Sequence, residues 1–114
     1  MSQSSKDWLI FKNYKKIIMK IYVDIDNTIC ETKGMDYHLS EPIKENINKI
    51  NKLYDQGNHI FYWTARGTVS KNDYFDLTKS QLDSWGCKYH KLSVGEKPAY
   101  DLLICDKTIR IEEI

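Results

Sequence analysis

The apolar positions of this 114-residue chain change their period along its length. From about Ile17 to Ile25 the run "IIMKIYVDI" crowds apolar and β-branched residues together, which predicts a buried strand. A polar stretch follows, roughly Asn27 to Ser40 with Gly34 inside it, and reads as a loop. Ser40, Glu41 and Pro42 then read as a helix start, because proline is tolerated in the first turn. Ile43, Ile47, Ile50 and Leu53 recur at helical spacing, so an amphipathic helix is expected over 42–56, with Gly57 ending it. "HIFYWTA", 59–65, is rich in β-branched and aromatic residues and predicts a second strand. A second helix is expected over 72–85, with Tyr74, Leu77, Leu82 and Trp85 toward the core and Gly86 as its stop. "KYHKLSV" is a weaker strand, "DLLICD", 101–106, a short apolar strand ending in an acid, and "RIEEI" a last edge strand.

Alternation of strands and helices predicts an α/β sandwich with a mostly parallel sheet. In such sheets ligands bind at the carboxyl ends of the strands. The chemistry collects there. Asp24 and Asp26 follow the first strand, Thr64, Ala65 and Arg66 end the second, and Asp106 ends the later one. Lys97 sits in the loop just before that later strand. Two aspartates two positions apart share one side of an extended chain, and such carboxylates repel each other and are costly to desolvate. A divalent cation offsets both effects. Magnesium takes hard oxygen ligands, and with a lysine beside it neutralises a bound phosphate. Phosphoryl transfer depends mainly on such positioning and charge neutralisation, and an aspartate can act as its nucleophile.

Composition narrows the classes. Seventeen basic and 16 acidic side chains leave a formal net charge of +1, which supports neither a nucleic-acid nor a membrane partner. Hydrophobic residues make up 41% of the chain, enough for one small core. Cys30, Cys87 and Cys105 form no CxxC pair, so reduced thiols and a cytoplasmic protein are expected. No apolar run approaches the roughly 18 residues of a membrane span, and the first residues lack a signal-peptide apolar region. Residues 1–18 read as an extension ahead of a domain over 19–114. Within that extension Trp8, Phe11 and Tyr14 share one helical face, which points to a homo-oligomer interface or to packing back on the sheet.

The motif "DIDNT", 24–28, resembles the DxDxT signature of the haloacid dehalogenase (HAD) superfamily of phosphatases. "FYWTARG" resembles that superfamily's second motif, and Lys97 followed by "PAYDLLICD" its third and fourth. The resemblance spans roughly residues 19–109. More narrowly, "TARG" and "KPAYDLLICDK" are similar to small HAD-like hydrolases found with capsule or surface-polysaccharide biosynthesis genes. The resemblance implies a Rossmann-like three-layer sandwich and magnesium-dependent hydrolysis of a phosphate monoester, such as a sugar phosphate, through an aspartyl-phosphate. It implies Asp24 as nucleophile, Asp26 as general acid/base, and Thr64, Ala65, Arg66 and Lys97 around the substrate. The metal would be held by Asp24, the main-chain carbonyl of Asp26, and Asp106. One departure stands at Cys105, where related motifs often carry a second acid; a thiol is a poor magnesium ligand.

The loop 29–40 is long enough for a flap but not for a cap domain, so an open, capless site is expected. The flap carries Glu31, Lys33, Asp36, Tyr37 and His38 as groups able to touch a sugar. The expected partner is a small phosphorylated metabolite. Three other readings stay open at this point: a degenerate HAD-like binding or regulatory protein, a nucleic-acid-end phosphatase, and a receiver-type phospho-acceptor domain.

Overall fold

The computed structural model describes residues 18–95, 102–104, 111 and 114. Four strands of these residues form one parallel sheet: β1 (Lys20–Asp24), β4 (His59–Thr64), β5 (Lys91–Val94) and β6 (Leu102–Ile104), in the order β5-β4-β1-β6. Between β1 and β4 lie a small antiparallel ribbon, β2 (Cys30–Glu31) with β3 (Glu41–Pro42), and helix α1 (Lys44–Asp55). Helix α2 (Phe75–Ser84) connects β4 to β5.

Register sorts the sheet residues into two faces. Ile21 pairs with Ile60 and Leu102, and Val23 with Tyr62 and Ile104. Ile21, Val23, Ile60, Tyr62 and Ile104 are fully buried, joined in one cluster with Ile47, Ile50 and Leu53 of α1 and Leu82 of α2. Each such side chain is worth about 1.5–3 kcal/mol when removed from water. Both helices cover this same face, since Lys44 Nζ donates to the Trp85 carbonyl and Asn51 Nδ2 to that of Gly86. That follows from topology: two successive right-handed crossovers stepping the same way, β1 to β4 to β5, put their helices on one side. The α/β class and the parallel sheet therefore stand. The expected third layer is not found among the described residues. The opposite face carries Tyr22, Phe61 and Trp63, half-buried, with the Tyr22 and Phe61 rings 4.9 Å apart.

The first helix starts later than its sequence suggests. Glu41 and Pro42 pair with Glu31 and Cys30, and the Ile43 N–H continues that pairing to the Ile29 carbonyl at 2.8 Å. Proline lacks an N–H and suits the edge of such a ribbon as well as it suits a helix start. Helix α1 then begins at Lys44, and Gly57, at φ 96°, turns the chain toward β4. The buried Asn58 fastens this junction: its Nδ2 donates to the Leu53 carbonyl and its Oδ1 accepts from the Met19 N–H. Helix α2 is also shorter than 72–85, because residues 72–74 belong to the loop before it. At the chain end, the Ile114 N–H donates to the Ile111 carbonyl at 3.2 Å; the rest of the edge strand expected over 110–114 lies outside the described residues. So do Trp8, Phe11 and Tyr14. No helix among the described residues is long and apolar enough to cross a membrane.

Leu53 and Asn48 test the packing. Leu53 is 1% exposed in the core, whereas Asn48 lies on the solvent side of α1. Leu53→Ala is expected to lower unfolding free energy by about 2–5 kcal/mol, and Asn48→Ala to change it by no more than about 0.5 kcal/mol. Urea titration of both variants measures this, and equal losses would contradict the assigned faces.

Candidate active site

β1 delivers Asp24 to the carboxyl edge of the sheet, and the chain then reverses. Asn27 takes a positive φ of 63°, a conformation asparagine tolerates better than most residues, while the Thr28 and Ile29 N–H groups both donate to the Ile25 carbonyl. The reversal keeps Asp24 and Asp26 on the wall of one cavity of about 320 Å³. The other walls are the loop 64–70 that leaves β4, and Met35 and Tyr37 of the flap. Gly67 makes that loop compact: its φ is 88°, and a Cβ there would stand 2.2 Å from the Asn72 carbonyl oxygen.

The Asp26 carboxylate is bonded from several sides. Arg66 donates to it from Nη2 at 2.8 Å and from Nε at 3.1 Å. Thr64 Oγ1 donates to Oδ2 at 2.9 Å, and Thr32 Oγ1 to Oδ1 at 2.7 Å. Burial alone pushes the Asp26 carboxyl up, but the hydrogen bonds from Arg66, Thr32 and Thr64 and the guanidinium charge outweigh it, so the carboxyl titrates below its usual range. Beside it, burial pushes the Cys30 thiol up, and that thiol donates to the Ile25 carbonyl at 3.6 Å. Cys30 is therefore a protonated neighbour and not a nucleophile.

Arg66, expected beside the substrate, is among the residues lining the cavity, and its guanidinium is engaged within the protein. The residue is 2% exposed. Its Nη1 donates to Thr78 Oγ1 at 3.1 Å and to Gln81 Oε1 at 2.6 Å, so every guanidinium nitrogen has a partner within the protein. The Tyr37 ring lies over it, 4.8 Å from Cζ. Thr64 is likewise engaged: it donates to Asp26 and accepts the Arg66 N–H at 3.2 Å, so its proton is directed at the carboxylate. Asp24 and Ala65 line the cavity as expected. Thr28 turns away from this network into full burial, its hydroxyl without a hydrogen-bond partner while its carbonyl accepts from Asn46 Nδ2.

Lys97, Cys105 and Asp106 lie outside the described residues. Among the described residues no group of three metal-binding side chains comes together. The Asp26 carboxylate is held by Arg66, so a metal could reach Asp26 through its main-chain carbonyl, and Asp24 is a further carboxylate on the cavity wall.

Sequence reasoning missed Thr32, Ser40, Thr78 and Gln81. Thr78 and Gln81 are three apart on α2, next to the core residue Leu82, and that helical spacing of two polar residues beside an apolar one was the available signal. Thr32 and Ser40 carried none, because nothing in a polar loop announces which hydroxyls will meet.

No protein-family model and no curated protein matches the chain. Its fold is similar to the crystal structure of a structural-genomics target from Vibrio cholerae, with a TM-score of 0.68 at 23% identity. The likeness covers 84% of this chain and 86% of that one. It shows a shared fold.

Acid should expose the ion pair. A carboxyl with a depressed folded pKa contributes stability above its unfolded value of about 3.9, and loses that contribution as pH falls through the folded value. Asp26→Asn leaves the buried Arg66 unpaired, so a loss of about 3 kcal/mol is expected at pH 7. The gap between variant and wild type should narrow below about pH 4, where the wild-type carboxyl also becomes neutral. Urea midpoints from pH 3 to 7 measure it; a gap independent of pH would mean that the loss is steric.

Proposed function

We propose that this chain is a HAD-type phosphatase that hydrolyses a phosphate monoester through an aspartyl-phosphate. The observation that carries the reading is the placement of Asp24. It ends β1 and lines the cavity at the point where strand order reverses, between the β1-β4-β5 run and β6. Such switch points are where open parallel sheets bind ligands. The DIDNT motif supports the assignment and does not carry it alone.

In this reading the Asp24 carboxylate attacks phosphorus, and the bond to the leaving oxygen breaks. Water then cleaves the acyl phosphate and frees the carboxylate. Arg66, Thr64 and Thr32 fix the direction of the Asp26 carboxylate, which accepts a proton from that water. Acting earlier as an acid toward the leaving oxygen would require Asp26 first to take up a proton against the Arg66 charge. Magnesium, when bound, neutralises charge on the transferring group; Asp24, the Asp26 carbonyl and Asp106 are the oxygens proposed to hold it. Thr68 and Ser70 put two more hydroxyls on the cavity wall.

A second reading is a protein that binds a phosphorylated metabolite without turning it over. The engagement of Asp26 by Arg66 favours it, because an arginine-bound carboxylate is a poor proton donor. Turnover separates the two. Wild type with magnesium should hydrolyse a generic aryl phosphate, chelator should abolish the reaction, and Asp24→Asn should reduce it to background with the fold retained by circular dichroism. Asp106→Ala should raise the magnesium requirement by about tenfold or more, since losing one hard ligand or its support typically costs metal affinity on that scale. Near-wild-type turnover by Asp24→Asn would rule out the covalent route. Phosphate binding without any hydrolysis would establish the second reading.

A further inference from the structure

The flap is held in place from outside itself. Its own ribbon pairs only two residues per strand, β2 with β3, and a ribbon that short is marginal in water. The Tyr37 ring packs on Arg66 and on Tyr74, and hydrogen bonds hold the flap at both ends. At its stem, Thr32 bonds to Asp26 at 2.7 Å and shares a 2.6 Å hydrogen bond with Ser40. At its far turn, Gln81 Nε2 donates to the Tyr37 carbonyl at 2.6 Å. Gln81 Oε1 meanwhile accepts from Arg66 Nη1 at 2.6 Å. The amide has one orientation that satisfies both partners: a guanidinium only donates and must meet the oxygen, whereas a carbonyl only accepts and must meet the NH₂. Gln81 thus joins α2, the arginine behind Asp26 and the segment that roofs the cavity.

We propose that Gln81 is a positioning residue that latches the flap over the cavity, and that its two hydrogen bonds do separable work. The oxygen steadies Arg66. The NH₂ sets the height of Tyr37 and, through it, of the flap side chains Tyr37 and Met35 that wall the cavity. The kinetic part of this inference rests on the phosphatase reading; the structural part does not.

Gln81→Glu separates the two roles. It keeps an acceptor for Arg66 but turns a second oxygen toward the Tyr37 carbonyl, so the latch opens while the arginine stays held. Gln81→Leu removes both bonds, with Thr78 still holding Nη1. In wild type the amides of Asp36, Leu39 and Ser40 are bonded within the flap turn. Hydrogen exchange at these amides should accelerate about tenfold in both variants, the worth of one ordinary hydrogen bond, with β1, α1 and β4 unchanged. For an aryl phosphate, Gln81→Glu should raise KM about tenfold with kcat within about threefold, because a roof binds ground and transition states alike. Gln81→Leu should lower kcat as well, since Arg66 is loosened. Unchanged flap exchange in Gln81→Glu overturns the latch whether or not the protein turns over any ester. Accelerated exchange spread evenly over the sheet also overturns it, because that marks a general loss of stability. If the wild type hydrolyses nothing, the phosphatase reading fails and the exchange result still decides the latch.

Discussion

The buried pair between the Arg66 guanidinium and the Asp26 carboxylate is the constraint on which the site depends. The Arg66 side chain is fully buried and that of Asp26 is 21% exposed, so both charges have surrendered most of their water. Such a pair is a weak source of net stability, because desolvation offsets most of the attraction. Its effect is on arrangement. A planar, five-donor group fixed in a buried slot tolerates one set of partners. Arg66 comes from the end of β4, Asp26 from the turn after β1, Thr78 and Gln81 from α2, and Tyr37 from the flap. Removing the pair would take away the group that bonds the turn after β1, the end of β4 and α2 together.

Two aspartates placed two residues apart meet on one cavity wall. Carboxylates so close repel each other unless a counter-charge intervenes. For Asp26 that counter-charge is Arg66, with Thr64 and Thr32 as further donors. Asp24 ends β1 on the same wall, the position that the proposed reading gives its nucleophile.

Much of this was readable from the sequence, for reasons that are local. Ile47, Ile50 and Leu53 announced their helix because burial of one stripe is a period the chain must express. "HIFYWTA" announced β4, and Asp24 its place at a strand end. The start of α1 was misplaced because Glu41-Pro42 satisfies the edge of a ribbon as well as the first turn of a helix, and the choice rests on Cys30 and Glu31 at the other end of the flap. The engagement of the Arg66 guanidinium within the protein was not legible either. Its partners are 12, 15 and 40 residues away, and no spacing rule links an arginine after a strand to a threonine and a glutamine on the next helix.

Apolar surface is left exposed near the cavity. Among the described residues, Ile18, ahead of β1, is 66% exposed, and Met35, Leu39, Val69 and Phe75, from 40% to 78% exposed, belong to the flap, the loop after β4 and the start of α2. Met35 and Val69 wall the same cavity as Asp24 and Asp26. Under the proposed reading, the alcohol part of a phosphate ester contacts these two apolar side chains, which displaces water from the reacting bond. On that reading the exclusion of water depends on a short flap held by a few hydrogen bonds, so the order of those loop residues and the quality of the chemistry would be a single property.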